Sequence, residues 1–213
     1  MTTIVDYGAG NLRSVQNTLD ALGADYEVTN RPDVVRNATS IILPGVGHFG
    51  QMMRAMDELG LREPVIKQIE ADVPFLGICV GLQCLFEGSE ESPGSRGLGL
   101  FAGCVKRFVG PARVPHMGWN SLSSLRASRL LQGLGESPYT YFAHSYYAPL
   151  SAATAAVCDY VIPYSAVLET SNIHAVQFHP EKSGATGLRV VKNFLDLTNG
   201  AGCQPAADWQ SAL

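Results

Sequence analysis

Charged side chains are scarce in this sequence. Asp, Glu, Lys and Arg make up 16% of the 213 residues, and the formal net charge is −4. Nucleic-acid-binding domains usually carry a basic surface, so no nucleic-acid partner is expected. The one long apolar-leaning stretch, Val73 to Phe86, is interrupted by Gly77, Gly81 and Gln83. It is too short and too broken to cross a bilayer, and no membrane association is expected.

Two other features are missing. The first residues, MTTIVDYGAGN, contain neither the basic segment nor the long apolar segment of a secretory signal, which predicts a cytoplasmic protein. The five cysteines form no CxxC pair, and the five histidines form no HxH or HxxxH pair. These spacings argue against a disulfide framework and a zinc site, so we expect neither a metal nor a cofactor.

The first half of the chain predicts strands that alternate with helices, which is typical of βαβ units and a mostly parallel sheet. Apolar runs bounded by turn residues predict strands at 2–7, 25–29, 40–45 and 74–78. Helices are expected at 12–22, at 49–71 with interruptions at Gly60 and Pro64, and at 80–88.

The second half has fewer predicted helices. Segments 97–108, 139–148, 165–170 and 173–180 resemble strands, and several should add to the sheet in antiparallel orientation. A closing helix at 187–198 places Leu188, Val191, Phe194 and Leu195 on one face. We therefore predict an α/β fold with a mostly parallel central sheet, flanking helices and antiparallel strand additions. Residues 1–199 should form a single domain and residues 200–213 a flexible tail.

Cys79 lies in FLGICVGLQ, between a predicted strand and a predicted helix. A buried cysteine is most often a small apolar filler. The alternative is a nucleophile on a sharp turn, since Gly77 and Gly81 permit strained backbone and the helix N-terminus favours a thiolate. The N–H of Val80 would then face a developing oxyanion. The remaining cysteines lack this setting and are interpreted as structural or incidental: Cys84, Cys104, Cys158 and Cys203.

A cysteine nucleophile needs a base and a residue that orients the base. VQFHPEK offers His179 and Glu181, whose spacing of two places both side chains on one side of an extended segment. The alternative is a surface turn with a solvated glutamate. His116 and His144 are rival bases, although neither has a carboxylate close in sequence.

Two more glycine-rich segments follow predicted strands. In PGVGHF, the backbone at Val46 and Gly47 offers a second oxyanion donor, and an ordinary loop is the alternative. DYGAGN matches only the first half of a dinucleotide-binding GxGxxG pattern, because Arg13 occupies the third glycine position. NAD binding is therefore not expected.

GxCxGxQ at 77–83, followed by HPE at 179–181, resembles the class I (triad) glutamine amidotransferases, which have a flavodoxin-like fold. Within that class, several motifs are similar to the HisH family, the glutaminase subunits of imidazole glycerol phosphate synthase. These motifs are VDYGAGNLRSV, PGVGHFGQMM, VPHMGWN, YFAHSYY and QFHPEKSG.

The resemblance implies glutamine hydrolysis through a γ-glutamyl thioester. It assigns the nucleophile to Cys79, the base to His179 and the orienting carboxylate to Glu181. It also implies the remaining site residues: oxyanion donors at Val80, Val46 and Gly47, and substrate binding by Gln83.

The resemblance further implies a heterodimer with HisF, a (β/α)8-barrel synthase subunit. HisF receives the ammonia and converts PRFAR to imidazole glycerol phosphate and AICAR in histidine biosynthesis. The implied interface residues are Trp119, Asn120, Tyr141 and Lys182, and for Trp119 and Tyr141 the less favoured alternative is a core aromatic. Two alternatives remain at this point: a glutaminase subunit for another enzyme, such as anthranilate synthase, and a non-catalytic scaffold.

Overall fold

A computed structural model describes residues 1–9, 11–124 and 126–198. The strands found there are β1 Thr2–Val5, β2 Tyr26–Thr29, β3 Ile41–Gly45, β4 Phe75–Cys79, β5 Phe86–Ser89, β6 Phe101–Arg107, β7 His116–Ser121, β8 Ser123–Ser124, β9 Tyr139–His144, β10 Tyr146–Tyr147, β11 Thr154–Asp159, β12 Pro163–Glu169 and β13 Ile173–Val176. The helices are α1 Leu12–Ala21, α2 Pro32–Val35, α3 Phe49–Glu58, α4 Arg62–Glu70, α5 Val80–Gln83 and α6 Gly184–Thr198, with a 3₁₀ turn at Pro180–Lys182.

The main sheet has the strand order β2-β1-β3-β4-β13-β12-β11-β8. The first five strands in that order are mutually parallel, and β12, β11 and β8 extend the sheet in antiparallel orientation. Strands β3, β4 and β13 are buried along their whole length, as expected for parallel strands covered on both faces. The predicted α/β fold is confirmed.

The parallel pairing decides where the site forms. Gly45 at the end of β3 is in register with Cys79 at the end of β4, and Val176 at the end of β13 is in register with Ile78. The segments that follow β3, β4 and β13 therefore leave the sheet at one edge. In an open α/β sheet, ligands bind at this carboxyl edge.

The predicted helix at 80–88 is wrong in its second half. Helix α5 ends at Gln83, and Phe86–Ser89 form strand β5. Phe86, Gly88 and Ser89 pair in parallel with β6, so tertiary pairing overrides the local helical pattern. Gly88 is also a poor helix former.

The expected interruption of the helical region 49–71 at Gly60 is confirmed, but Pro64 does not interrupt it. Pro64 lies in the first turn of α4, where a backbone N–H has no intrahelical acceptor and proline costs little. The sequence predicts that Leu188 shares one face of the last helix with Val191, Phe194 and Leu195; those three are buried, but Leu188 is exposed. The neighbouring Gly187 occupies an inward-facing position of the helix. The helix packs closely there, since a Cβ added to Gly187 would lie 1.9 Å from the Pro180 carbonyl oxygen.

Two of the predicted strand segments do not join the main sheet. Strand β6 pairs with β5 and β10 in a three-stranded sheet, and β9 pairs with β7 in a two-stranded sheet. Strands β7, β8 and β11 are absent from the prediction. β7 (HMGWNS) and β8 (SS) contain few apolar residues, and two of the apolar positions of β11 (TAAVCD) are alanine, a poor strand former.

No helix in the described ranges is long and apolar enough to cross a membrane. The predicted tail at 200–213 lies outside the described residues, and the single domain over 1–199 stays a prediction.

Candidate active site

Cys79 ends β4 and immediately precedes α5, with φ 55° and ψ −107°. A positive φ is uncommon for a residue with a side chain and costs of order 1–3 kcal/mol, so such strain persists only where the surroundings impose it. The geometry is that of a nucleophile elbow, as the sequence predicted. The N–H of Val80 occupies the first helical position, where no intrahelical acceptor exists.

Three glycines allow the elbow to form. A Cβ on Gly81 would lie 2.0 Å from the Leu43 carbonyl oxygen, and one on Gly77 would lie 2.5 Å from the Gly81 carbonyl oxygen. A Cβ on Gly45 would lie 2.4 Å from the Gly81 nitrogen. Each close neighbour is backbone and cannot move aside, so β3, β4 and α5 approach one another only because these positions lack side chains.

His179 leaves the sheet three residues after β13 and contacts both Cys79 and Glu181. Its Nδ1 lies 2.8 Å from Glu181 Oε1, and the His179 and Glu181 side chains are only 5% and 3% exposed. The connecting segment is not extended: Pro180–Lys182 form a 3₁₀ turn, which curls the carboxylate back to the imidazole. A surface turn with a solvated glutamate is thus excluded.

Hydrogen bonds to strand β9 hold His179 in place. Its backbone N–H donates to the Tyr141 carbonyl at 2.9 Å, and the Ser183 hydroxyl donates to the His179 carbonyl at 2.7 Å. The same hydroxyl accepts from the Tyr141 N–H at 2.9 Å. The base is therefore fixed to the two-stranded sheet as well as to the main one.

The charge balance around His179 favours the imidazolium. Burial lowers the pKa of His179, but hydrogen bonds and electrostatic interactions with Cys79 and Glu181 outweigh burial and raise the pKa to about 10. Since Nδ1 donates to the carboxylate, Nε2 is the nitrogen left for the cysteine.

The rival bases have other partners. His144 Nδ1 lies 2.8 Å from the Tyr146 carbonyl oxygen and its Nε2 lies 3.1 Å from the Tyr164 hydroxyl. His116 Nδ1 lies 3.2 Å from the same hydroxyl, and its Nε2 lies 3.5 Å from the Asn120 amide nitrogen. Burial lowers the pKa of His116 to about 4, and chiefly burial lowers that of His144 to about 3. Both imidazoles are therefore neutral at physiological pH and poor bases, and both of their ring nitrogens already have hydrogen-bond partners.

The second predicted oxyanion donor points elsewhere in this structure. The N–H of Val46 donates to the Tyr7 hydroxyl at 3.1 Å, and that hydroxyl lies 3.4 Å from the Val46 carbonyl oxygen. Gly47 follows with φ 84°, a backbone conformation that glycine adopts without strain. An oxyanion role for the Val46 N–H requires this peptide to turn.

A cavity of about 340 Å³ opens at the elbow. Its described lining residues are Val46, Gly47, Cys79, Val80, Gln83, Glu91, Pro115, Met117, Ala143, His144, Ser145, Tyr146, His179 and Lys182. Glu91 is the one carboxylate among them, and its Oε2 accepts the Phe49 N–H at 2.7 Å at the start of α3. Gln83 is buried, and its amide nitrogen donates hydrogen bonds to the Tyr146 carbonyl and to the side-chain oxygen of Gln177.

The four predicted interface residues lie around the two-stranded sheet. Trp119 of β7 is 55% exposed and pairs with Tyr141 of β9, their ring centroids 6.1 Å apart in an edge-to-face arrangement. Trp119 is therefore no core aromatic, and Tyr141 is only partly buried. Lys182 Nζ lies 5.9 Å from the centroid of the Tyr141 ring. Asn120, on the opposite face of β7, donates to the Asp159 carbonyl.

Three residues at the site were missed by the sequence reasoning: Tyr7, Glu91 and Gln177. Gln177 carries a readable signal, since it precedes His179 by two positions and alternation puts both on one side. Tyr7 follows β1 at the carboxyl edge. Glu91 belongs to a loop that no local pattern ties to the site.

No group of three or more His, Cys, Asp or Glu side chains in the described parts of the chain could hold a metal ion.

Comparison with known proteins identifies the family. The family model for class-I glutamine amidotransferase matches residues 3–197. The chain belongs to the class-I glutamine amidotransferases. The resemblance seen in the motifs is thereby confirmed.

Among the curated relatives of this glutamine amidotransferase, the HisH subunit of imidazole glycerol phosphate synthase from Deinococcus radiodurans is 49% identical over 196 residues, covering 90% of this chain and 91% of that protein. The HisH subunit from Methanothermobacter thermautotrophicus is 48% identical over 198 residues, covering 92% and 98%. These relatives support the HisH resemblance over an anthranilate-synthase-type subunit.

Solved structures share the fold at lower identity. A glutamine amidotransferase crystal structure superposes with a TM-score of 0.73 at 21% identity, covering 93% of this chain and 99% of that one. The glutaminase domain of Trypanosoma brucei CTPS with bound acivicin gives 0.64 at 14% identity, with 92% and 93% covered. At these identities the likeness concerns the fold alone.

Proposed function

We propose that this chain is the glutaminase subunit of an imidazole glycerol phosphate synthase, which hydrolyses glutamine to glutamate and ammonia. One observation carries the proposal: the His179–Glu181 pair meets Cys79 on a strained turn at the carboxyl edge of the sheet. A scaffold protein has no need to maintain this strain. The HisH relatives support the choice of synthase.

In the first half of the reaction, Cys79 attacks the side-chain amide carbon of glutamine. The Sγ electron pair forms the new S–C bond, and the carbonyl electrons move to the oxygen, which the Val80 N–H faces. His179, protonated by the thiol, then gives its proton to the amide nitrogen as the oxyanion electrons re-form the carbonyl and the C–N bond breaks, which leaves the γ-glutamyl thioester and ammonia. Glu181 stabilises the imidazolium through the 2.8 Å contact.

In the second half, water hydrolyses the γ-glutamyl thioester. His179 takes a proton from the water as its oxygen attacks the thioester carbon, and the C–S bond breaks with its electron pair returning to Cys79. Two side chains are suited to hold the substrate. The Glu91 carboxylate complements the α-ammonium group, and Gln83, with its amide hydrogens already used, offers its oxygen.

The proposed partner is the (β/α)8-barrel subunit HisF. Met117 and Trp119 alternate on the exposed side of β7, 64% and 55% exposed, and Met117 also borders the cavity. Large exposed apolar side chains at a cavity mouth suit a docking surface. A partner seated there would cover the site, so that ammonia passes into the partner instead of being protonated in water. Lys182 lines the same mouth and suits an acidic partner residue.

The test is Cys79→Ala in the complex with HisF. The variant should lose glutamine-dependent synthesis while it keeps synthesis from added ammonium salt, because only the ammonia source is removed. Cys104→Ala, at an exposed cysteine, is the matched control and should keep both activities. Glutamine hydrolysis by Cys79→Ala would contradict the proposal.

A further inference from the structure

Gln177 follows β13 directly and is fully buried. Its Nε2 lies 3.6 Å from Cys79 Sγ, and its Oε1 lies 3.1 Å from Gln83 Nε2. An amide nitrogen at this distance from sulfur is within hydrogen-bond range, since contacts to sulfur are longer than those to oxygen. No role assigned so far to the triad or the oxyanion donors uses this side chain.

The direction of the Gln177 amide is fixed by its neighbours. The Tyr146 carbonyl can only accept, so the Gln83 atom 2.9 Å from it must be the amide nitrogen. The same nitrogen points at Gln177, which must therefore turn its oxygen toward Gln83. The nitrogen of Gln177 is left facing Cys79. Reversing the Gln177 amide would place its nitrogen against the Gln83 nitrogen, so that two donors would face each other. It would also place the Gln177 oxygen against the Cys79 sulfur.

The Tyr146 carbonyl, where this series of hydrogen bonds to Gln83 and Gln177 begins, is itself held in place. The Tyr146 carbonyl accepts a second hydrogen bond, from His144 Nδ1 at 2.8 Å. His144 Nε2 then accepts from the Tyr164 hydroxyl, which in turn accepts from His116. Because both imidazoles are neutral, each bond in this series has one direction only. The series ends with an N–H of Gln177 on the nucleophile.

We propose that Gln177 is a further catalytic residue, whose side-chain N–H stabilises negative charge on Cys79 Sγ. This charge forms when His179 takes the thiol proton and returns when the thioester C–S bond breaks, so the donor assists both the start and the end of the cycle. Hydrogen bonds to charged groups are the strong ones. The inference rests on the proposed glutaminase chemistry and adds a donor to it.

The experiment compares Gln177→Met, which keeps the length but has no donor, with Cys84→Ala as a control. Cys84 is buried beside the elbow, and its Sγ contacts the Gly81 carbonyl and not Gln177. The readouts are the pH dependence of Cys79 alkylation by iodoacetamide, with the adduct located by mass spectrometry, and glutaminase kcat and KM with HisF. In Gln177→Met the alkylation midpoint should rise by about one pH unit and kcat should fall about tenfold or more, with KM little changed. Cys84→Ala should match the wild type.

A folded Gln177→Met protein with the wild-type alkylation profile would overturn the proposal. If that variant does not fold, Gln177→Glu decides, because it keeps an acceptor for Gln83 but presents an oxygen to the sulfur. Gln177→Glu should raise the pH midpoint of Cys79 alkylation by at least the one pH unit expected for Gln177→Met. In the unmodified chain, the Gln177 amide proton signal should move with Cys79 titration and change on alkylation; an insensitive signal also overturns the proposal. Absence of both Cys79 labelling and glutaminase activity would instead refute the proposed function.

Discussion

The Tyr7 hydroxyl accepts the N–H of Val46 at 3.1 Å, which keeps that N–H away from the Cys79 cavity. Tyr7 is buried, and chiefly burial raises its pKa to about 12, so the phenol stays protonated and can donate as well as accept. The hydroxyl also lies 3.4 Å from the Val46 carbonyl oxygen. The two contacts favour the orientation in which Val46 is not an oxyanion donor.

Tyr7→Phe should raise glutaminase activity in the absence of HisF. A hydrogen bond contributes about 0.5–1.5 kcal/mol net, so its loss should increase the population of the turned peptide by up to about tenfold. The measurement is unstimulated glutaminase kcat, with Tyr26→Phe, at a partly exposed tyrosine, as the control. Unchanged or lower unstimulated activity would show that Tyr7 does not restrain the peptide.

Gly81→Ala should disrupt the elbow. Its Cβ would lie 2.0 Å from the Leu43 carbonyl oxygen, and neither backbone segment can yield without moving Cys79. We expect a loss of several kcal/mol in the free energy of unfolding, or a folded protein without glutaminase activity. Gly94→Ala is the control, because an added Cβ there meets nothing within 4 Å. Denaturant unfolding and kcat test both variants, and wild-type values for Gly81→Ala would contradict the packing argument.

The pH dependence of glutaminase activity should report the raised pKa of His179. The folded-state pKa of about 10 lies above the ordinary 6.5, so the imidazolium that protonates the leaving amide nitrogen persists through neutral pH and is lost as pH rises through about 10. Activity should thus be flat from about pH 7 to 9 and fall above that range.

Glu181→Gln should move the same falling limb to lower pH and lower kcat by about 10²–10⁴-fold, because the carboxylate no longer stabilises the imidazolium. Glu63→Gln, at an exposed residue of α4, is the control. An alkaline limb at the same pH in Glu181→Gln would exclude this account of the charge balance.

Mild acid should destabilise the fold. His144 and His116 have pKa values below the ordinary 6.5, chiefly through burial, so the unfolded chain binds protons first as pH falls below about 6.5. The contribution of these two histidines to stability is complete above that pH, and His144 alone should cost about 1.4 kcal/mol per pH unit below it. Urea unfolding between about pH 6.5 and 5 measures this slope. His144→Gln should reduce it, and a flat wild-type profile would contradict the prediction.

Trp119→Ala should weaken binding of HisF. An exposed tryptophan at the centre of an interface commonly contributes about 2 kcal/mol or more, which corresponds to a Kd at least about thirtyfold higher. Titration calorimetry with purified HisF measures the Kd. The control is Leu150→Ala, at an exposed leucine outside strands β7 and β9. Equal losses for both variants would argue against a specific contact at Trp119.

The sequence determined the fold class and the chemistry. Buried apolar runs alternating with helices gave the parallel sheet, and FLGIC followed by VGLQ gave the elbow, since only small residues permit that turn. QFHPEK likewise indicated a base beside a carboxylate. These are local patterns, and local patterns are readable without coordinates.

The tertiary structure decided everything that depends on residues distant in sequence. The strand at Phe86–Ser89 replaced a predicted helix because β6 lies beside it. Pairing of β13 with β4 brought His179 to Cys79, and burial made His116 and His144 neutral and removed them as bases. The contacts of Tyr7 with Val46 and of Gln177 with Cys79 join segments 39 and 98 residues apart, and no periodicity in the sequence records such distances.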